Sequence, residues 1–326
     1  LVNGHWWEHN MGKASAFWSL VFLIPFFIAY GGAVTIEQLL HSVVLDFIPF
    51  IVLLFGLFAV SGGIILRGSL KGTPSVNIIM LTIGTLLASW IGTTGASMLL
   101  IRPMIRANEW RQKKTHMIIF FIFLVSNMGG SLTPVGDPPL FLGFLRGVPF
   151  FWTMNLLPPM VFNAIILLTI YFFMDKYYYS KEPGLNTAAL AKDVKKEPLR
   201  VEGLHNFIFL AMIVGSVILS GILAKNPTFA NLETGQLYGI PLFEHGGEVI
   251  ILPFTSIIRD LTILLAAFLS VKTTSQVIRK DNRFTWFPIK EVAILFIGIF
   301  ITMIPALAIL GSRGAELGLS QPAQFF

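Results

Sequence analysis

The chain of 326 residues has no cysteine, and only 12% of its residues are charged. The lack of cysteine excludes disulfides, thiolate metal sites and cysteine nucleophiles. So few charged residues leave too little polar surface for a soluble globule, since soluble domains carry about 25%. The chain also lacks a Walker loop and the GxGxxG, HExxH and GxSxG motifs. The sequence therefore gives no reason to expect ATP hydrolysis, a bound cofactor or an enzyme.

Long apolar runs fill most of the sequence instead. Hydrophobic residues make up 55% of the chain, and its mean hydropathy is +0.76. A helix needs about 20 apolar residues to cross the hydrocarbon core of a membrane. Runs that meet this requirement lie at 15–31, 46–66, 151–174, 204–224, 250–271 and 289–310. The sequence therefore predicts an all-α, multi-pass protein of the inner (plasma) membrane.

Two further apolar stretches, 75–101 and 117–151, are interrupted by glycine-rich segments. Short cytoplasmic loops collect Lys and Arg, and basic residues flank the first stretch on both sides, at 67–71 and at 102–114. A single crossing cannot put both flanks in the cytoplasm, whereas a re-entrant hairpin can. We therefore predict a hairpin at 75–105, followed by a broken, membrane-crossing helix at 117–151.

This threading places 19 of the 23 basic residues in cytoplasmic loops. The longest of these loops, 175–203, mixes Lys, Glu and Asp with a Pro-Gly pair, which is typical of a solvated linker. The linker divides the chain into a first half at 1–174, which contains the hairpin and the broken helix, and a second half at 204–326.

Three glycines and three prolines fall within 126–139, so a continuous helix cannot pass through this segment. Unwound backbone at membrane depth is tolerated where it lines a cavity or is buried in protein. Its freed carbonyl groups are oxygen ligands of the kind that small alkali cations accept. Further side-chain oxygens belong to Ser126, Asn127, Ser131 and Thr133. Asp137 adds a carboxylate, which inside a membrane indicates an ion or proton site. The alternative is an external loop in which Asp137 is a turn residue.

The interruption at 92–97 is the expected partner of this segment, because small residues let two backbones approach closely. Its hydroxyl groups belong to Thr93, Thr94 and Ser97. The alternative interpretation of this interruption is the close packing of a tight turn.

Arg259 and Asp260 lie midway along the apolar run 250–271. Neighbouring residues on a helix point about 100° apart, so these two need not pair with each other. They are either functional charges that face a cavity, or structural charges that pair with neighbouring helices.

The segments 92–97, 126–130 and 131–137 together resemble the ion transporter superfamily, and within it the NhaD-type sodium/proton antiporters and the citrate-transporter-like proteins. The resemblance implies an inverted-repeat secondary transporter in which each repeat carries a re-entrant hairpin and a discontinuous helix, and it is compatible with a homodimer. Asp137 matches the acid of the antiporters' Ser/Thr-Pro-hydrophobic-Gly-Asp motif. The second repeat would begin at 204, but 204–326 holds no second hairpin or broken helix. We therefore expect a fragment that is truncated in this repeat.

By this resemblance the first hypothesis is sodium/proton antiport by alternating access. Na⁺ would be held by Asp137, Asn127 and Ser126, with the hydroxyl groups of the break and the hairpin completing the shell. Sodium and protons are then transported species, and no cofactor is expected. Gly92 stands where the antiporters carry an acid, and this difference favours an alternative, the sodium-coupled transport of citrate or another dicarboxylate. A non-transporting membrane scaffold is a third hypothesis.

The expected partners are the lipid bilayer and small ions or a small organic anion. Nucleic acid is not expected, although the net charge is +6, because the basic residues lie in short segments between apolar runs.

Overall fold

A computed structural model describes residues 4–182 and 198–313 of the chain. The helices are α1 Gly4–Leu40, α2 Ile48–Ser61, α3 Pro74–Ala107, α4 Thr115–Leu124, α5 Pro138–Leu145, α6 Leu157–Ser180, α7 Asn206–Leu223, α8 Phe254–Thr273, α9 Gln276–Asp281 and α10 Phe287–Arg313. The strands are β1 Ile65–Arg67, β2 Arg200–Glu202, β3 Gly239–His245 and β4 Glu248–Pro253. A π-helical segment, His41–Phe47, joins α1 to α2, and single 3-10 segments lie at Met128–Gly130 and Phe150–Leu156.

Helices that are long and apolar enough to cross a membrane dominate the described part of the chain. There are six such stretches: His9–Ser61, Pro74–Ala107, Phe150–Ser180, Asn206–Leu223, Phe254–Thr273 and Phe287–Leu310. They expose large apolar side chains such as Trp18, Ile28 and Phe173, a surface that suits lipid rather than water. The prediction of an all-α, polytopic membrane protein is confirmed.

The first apolar stretch folds back on itself at Gly31. Along the arm before this glycine, the contacts with α10 pair Gly12 with Ile294 and Ser15 with Gly298. Along the arm after it, the contacts pair Ser42 with Phe300 and Phe50 with Phe296. The residue numbers of the contacted positions in α10 rise along the first arm and fall along the second. The two arms are therefore antiparallel. Gly31 has a φ of 82°, which residues with a Cβ rarely adopt.

Helix α3 also folds back, at Gly92 (φ 76°, ψ 150°). A straight helix would hold Asn77 and Asn108 about 46 Å apart. Instead Asn77 Nδ2 donates to Asn108 Oδ1 over 3.0 Å, and Asn108 Nδ2 donates to Asn77 Oδ1 over 2.8 Å. The segment predicted as a hairpin at 75–105 is thus a pair of antiparallel arms. Its entry into a membrane from the cytoplasmic side stays a prediction.

The apolar stretch at 117–151 does not form one helix. Helix α4 ends at Leu124 and α5 begins at Pro138. With 10 and 8 residues, these helices are about 15 and 12 Å long, so neither alone crosses a hydrocarbon core of about 30 Å. The backbone between them is unwound apart from one 3-10 turn, and we call this segment, 125–137, the break.

The loops that the charge pattern predicts to be cytoplasmic contact one another. Strand β1 pairs with β2 in an antiparallel ladder. Arg67 forms ion pairs with both Asp281 and Glu202, and these hydrogen bonds raise the pKa of its guanidinium above the ordinary value. Nearby, Arg102 Nη1 donates to Asn282 Oδ1 over 3.3 Å. These contacts agree with a threading that puts the two flanks of the hairpin and the later basic loops on one side.

The structure divides into two compact units. One consists of Leu1–Ile51, Gln236–Phe254 and Trp286–Phe326, and the other of Val52–Gly235 and Thr255–Thr285. The second unit contains the hairpin and the break. These units are defined by which residues lie close together, and not by a repeated fold. The division into repeats at 1–174 and 204–326 therefore stays a prediction. Within the predicted linker, residues 183–197 lie outside the described part of the chain.

The span predicted at 250–271 begins later than expected, at Phe254, because the residues before it form β4. Val249, Ile250 and Ile251 are β-branched, which favours a strand. Gly246 and Gly247 have φ angles of 63° and 87°, as a tight hairpin turn requires. The apolar composition of this run does not distinguish a strand from the first turn of a membrane helix.

Candidate transport site

The tip of the hairpin lies against the break. Thr93 N donates to Gly136 O over 3.2 Å, and the hydroxyl oxygens of Ser97 and Ser126 lie 2.9 Å apart. The side chains of Thr93, Ser97 and Ser126 are half-buried. The structure therefore brings these predicted residues together, and their role in binding an ion stays a prediction.

The break also folds tightly onto itself. A Cβ on Gly136 would lie 2.2 Å from Gly130 O, a distance at which only glycine fits. Gly136 N in turn donates to Thr133 O over 3.0 Å. Gly130 and Gly136 thus let two segments of unwound backbone touch.

Ser89, on the first arm of the hairpin, holds the break in place. Its hydroxyl donates to Gly129 O and accepts from Leu132 N over 3.2 Å, while its carbonyl oxygen accepts from the Thr133 hydroxyl. Thr153 adds a further bond, from its hydroxyl to Leu132 O over 2.8 Å. Sequence reasoning missed Ser89 and Thr153, because each is a lone hydroxyl in an apolar run. Thr133, which was predicted as a ligand, uses its proton in this network.

Two buried hydroxyl groups near this contact have no hydrogen-bond partner among the residues that the structure describes. They belong to Ser131, which was predicted, and to Ser61, which was not. Ser61, in the last turn of α2, faces the hairpin tip, since a Cβ on Gly95 would lie 2.5 Å from its Oγ. Unpaired buried hydroxyl oxygens are uncommon, and each is available to a bound ion or water.

The remaining predicted residues are more open. The side chains of Thr94 and Asn127 are exposed, and Asp137 is half-buried. Asp137 precedes α5 without capping it through its side chain. Within 4–182 and 198–313, no Lys, Arg or His lies within ion-pair distance of this carboxylate. Asp137 therefore has its charge available for a cation.

Arg259 and Asp260 pair with each other, although the helix geometry did not require it. Arg259 Nε donates to Asp260 Oδ1 over 2.8 Å. The Arg259 guanidinium also lies 5.6 Å from the ring of Phe141, which is one helical turn after Asp137. Arg259 is 3% exposed and lines a cavity between α7 and α8. The ion pair therefore lies within α8 and does not link it to a neighbouring helix, as one interpretation expected. Whether Arg259 and Asp260 are functional charges stays a prediction.

A buried ionic cluster at the base of the hairpin escaped the sequence analysis. Asp175 is completely buried and bonds to Arg111 Nη2 (2.6 Å), His116 Nε2 (2.9 Å) and Asn77 Nδ2 (3.0 Å). Its partners come from the loop after α3, from α4 and from the first hairpin arm. The sequence analysis assigned Asp175 to the solvated linker at 175–203, whereas α6 continues to Ser180 and buries this aspartate. The cluster joins the hairpin to α4 and α6.

In the described part of the chain, no group of three or more His, Asp or Glu side chains could hold a metal ion. Hydroxyl and carbonyl oxygens dominate the contact between the hairpin tip and the break, and such oxygens are ligands for weakly held cations rather than for transition metals. The arrangement is therefore chemically suited to a cation that binds and leaves.

Comparison with known protein families gives a match over almost the whole chain. A family model described as "Putative citrate transport" matches residues 1–321. The chain belongs to this family. No curated protein and no solved structure matches it. Membership of the citrate-transport family agrees with the superfamily resemblance seen in the sequence. Together with the apolar helices, it makes the chain a membrane-embedded secondary transporter.

Proposed function

We propose that this protein carries a small carboxylate of the citrate class across the membrane by alternating access, coupled to sodium. The contact between the hairpin tip and the break supports the cation site. Ser97 and Ser126 place two hydroxyl oxygens 2.9 Å apart beside unwound backbone, and the free Ser131 hydroxyl lies in the same break. Secondary transporters bind coupling ions at such interruptions of membrane helices. The family description supports the carboxylate.

The test is the uptake of radiolabelled citrate into proteoliposomes that contain the intact protein, under an inward sodium gradient. Replacing one hydroxyl ligand, in Ser97→Ala or Ser126→Ala, is expected to raise the half-saturating sodium concentration about tenfold, because a hydrogen-bonding or ion-binding oxygen is worth about 1.4 kcal/mol or more. Thr169→Ala is the matched control, since Thr169 is exposed and bonds only to its own helix. A rate of citrate uptake that is the same with and without the sodium gradient would contradict the proposal.

A second candidate function is sodium/proton antiport, and Asp137 favours it. Its carboxylate is half-buried at the end of the break, and the described residues supply no cation to neutralise it. A single carboxylate that binds either sodium or a proton couples the two fluxes, because protonation removes the charge that holds sodium. Sodium-driven proton movement in the same proteoliposomes, without citrate uptake, would favour this candidate over the first.

A further inference from the structure

Helices α7 and α8 form a partly open cavity of about 280 Å³. Small-molecule sites in proteins commonly have volumes of about 300–1,000 Å³, so this one suits a small ligand. Its apolar lining includes Met212, Leu219, Leu223 and Ile258. Its hydroxyl groups belong to Ser216, Ser220, Thr255 and Thr262. Arg259 is the one charged side chain in the lining.

Arg259 has an unused donor. Its Nη2 atom is buried and has no acceptor in the part of the chain that the structure describes. Its Nε is satisfied by Asp260, and its guanidinium lies near the Phe141 ring. Buried polar atoms in proteins are nearly always paired, and an unpaired one calls for a partner such as a ligand. A guanidinium N–H prefers a carboxylate oxygen as its acceptor.

Three of the four hydroxyl groups in the lining already donate their protons within their own helices. Ser216, Ser220 and Thr262 each donate to a backbone carbonyl of their own helix, over 2.8, 2.8 and 2.7 Å. Arg259 therefore offers a single charged donor within largely apolar walls. Citrate, with three carboxylates, would leave two charges without a partner here, which is unfavourable in a low-dielectric site.

We propose that this cavity binds a small apolar monocarboxylate, with its carboxylate on Arg259 Nη2 and its hydrocarbon body between α7 and α8. The site is distinct from the contact between the hairpin tip and the break. It does not depend on which ion or anion the protein transports, because the ligand is recognised by Arg259 and the apolar walls alone. Asp260 weakens the attraction between Arg259 and the ligand's carboxylate, because its own negative charge lies next to the same guanidinium.

Hexanoate is a suitable probe, and its saturable binding to the purified protein tests the proposal. Arg259→Gln is expected to weaken hexanoate binding at least about tenfold, whereas Asp260→Asn is expected to strengthen it by removing the competing charge. Arg106→Gln is the matched control, because Arg106 is exposed and donates to Leu66 O instead. A purely structural role of the pair predicts losses in both Arg259 and Asp260 variants, and that result would overturn the proposal.

A second variant keeps the test informative if Arg259→Gln does not fold. A Cβ on Gly215 would meet nothing within 4 Å, and Gly215 lines the cavity. Gly215→Leu should therefore fill the cavity without strain, leave Arg259 in place and abolish hexanoate binding. Hexanol has the same hydrocarbon body without the carboxylate, and palmitate has a body too long for the cavity. Equal binding of hexanol, or tighter binding of palmitate, would contradict a site for small carboxylates.

Discussion

Asp137 and Asp175 show how environment separates two aspartates of one membrane protein. Asp175 is completely buried, and its oxygens are occupied by Arg111, His116 and Asn77. Asp137 is half-buried, and no described Lys, Arg or His lies within ion-pair distance of it. A saturated carboxylate stabilises structure, whereas an open one can bind and release a cation. At the scale of single residues, the two environments therefore predict a role in ion binding for Asp137 and a structural role for Asp175.

Replacing Asp175 should destabilise the protein strongly. Asp175→Asn leaves the Arg111 guanidinium buried without its counter-charge, and breaking such a pair costs about 3–5 kcal/mol. Thermal unfolding followed by tryptophan fluorescence would measure the loss. Asp281→Asn is the control, because its partner Arg67 is partly exposed and such surface pairs are worth about 0–1 kcal/mol. Equal losses of stability in the two variants would show that the buried cluster contributes no more to stability than the partly exposed pair does.

Replacing Asp137 should affect ion flux and leave the stability of the protein almost unchanged. Asp137→Asn removes a charge that no described residue neutralises, so unfolding temperature should change little. Under the antiport candidate, sodium-dependent proton flux in everted vesicles is expected to disappear, because the amide neither binds protons nor holds sodium by charge. Unchanged flux in a correctly inserted Asp137→Asn protein would remove Asp137 from the mechanism.

At the scale of elements, glycine decides where helices reverse. Both Gly31 and Gly92 have positive φ angles within stretches that are otherwise helical, and each marks the point at which two arms become antiparallel. Gly92 has the further constraint of close neighbours, since a Cβ there would lie 3.2 Å from the Leu57 side chain and 3.4 Å from Val135 O. The hairpin tip thus depends on the absence of a side chain.

Substituting the tip glycine tests this dependence. Gly92→Ala is expected to destabilise the protein by about 1–3 kcal/mol, because its φ and ψ lie in a region that is essentially restricted to glycine. Gly143→Ala is the matched control: Gly143 lies inside α5, and a Cβ there makes only ordinary contact with Val148, so alanine should be neutral or stabilising. Thermal unfolding compares the two, and a tolerated Gly92→Ala would contradict the role given to this glycine.

The fold-back of α3 could be predicted from the sequence because basic residues on both flanks restrict how the segment is threaded. The break could be predicted because three glycines and three prolines are concentrated in 126–139. Isolated prolines such as Pro25 and Pro305, in contrast, lie inside helices. Ser89 and Ser61 could not, since a lone hydroxyl in an apolar run does not indicate which distant segment it faces. The Asp175 cluster could not either, because Asp175 begins a charged stretch that is typical of a solvated linker. Strand β4 was mistaken for helix because β-branched apolar residues also suit a membrane span.

At the scale of the whole molecule, loops that the charge pattern predicts on the same side of the membrane also contact one another in the structure. The two flanks of the hairpin, the segment around β2 and the segment around α9 meet within one compact unit. In the other unit, His245 Nδ1 lies 3.1 Å from Glu37 Oε2. Glu37 lies between the predicted spans 15–31 and 46–66, and His245 between 204–224 and 250–271, so the threading puts both on the side opposite the basic loops. The contacts group the loops, and the side of the membrane on which each group lies stays a prediction.

The absence of cysteine makes that prediction easy to test. A cysteine introduced at Lys113 should react with a membrane-impermeant thiol reagent only after the cells are opened, because this loop is predicted to be cytoplasmic. A cysteine at His245 should react in intact cells. The native chain supplies no background thiol. Labelling of Lys113→Cys in intact cells would reverse the orientation and with it the assignment of 75–105 as a cytoplasmic re-entrant hairpin.

The pairing of β1 with β2 has a consequence for biogenesis. Arg67 and Glu202, which it brings together, are 135 positions apart. At about 5–20 residues per second, a ribosome delivers β2 roughly 7–27 s after β1. If the chain inserts as it is synthesised, the break and α6 leave the ribosome before β1 and β2 can pair. Pairing of the two strands is then timed by translation and insertion rather than by the sub-microsecond diffusion that closes short loops.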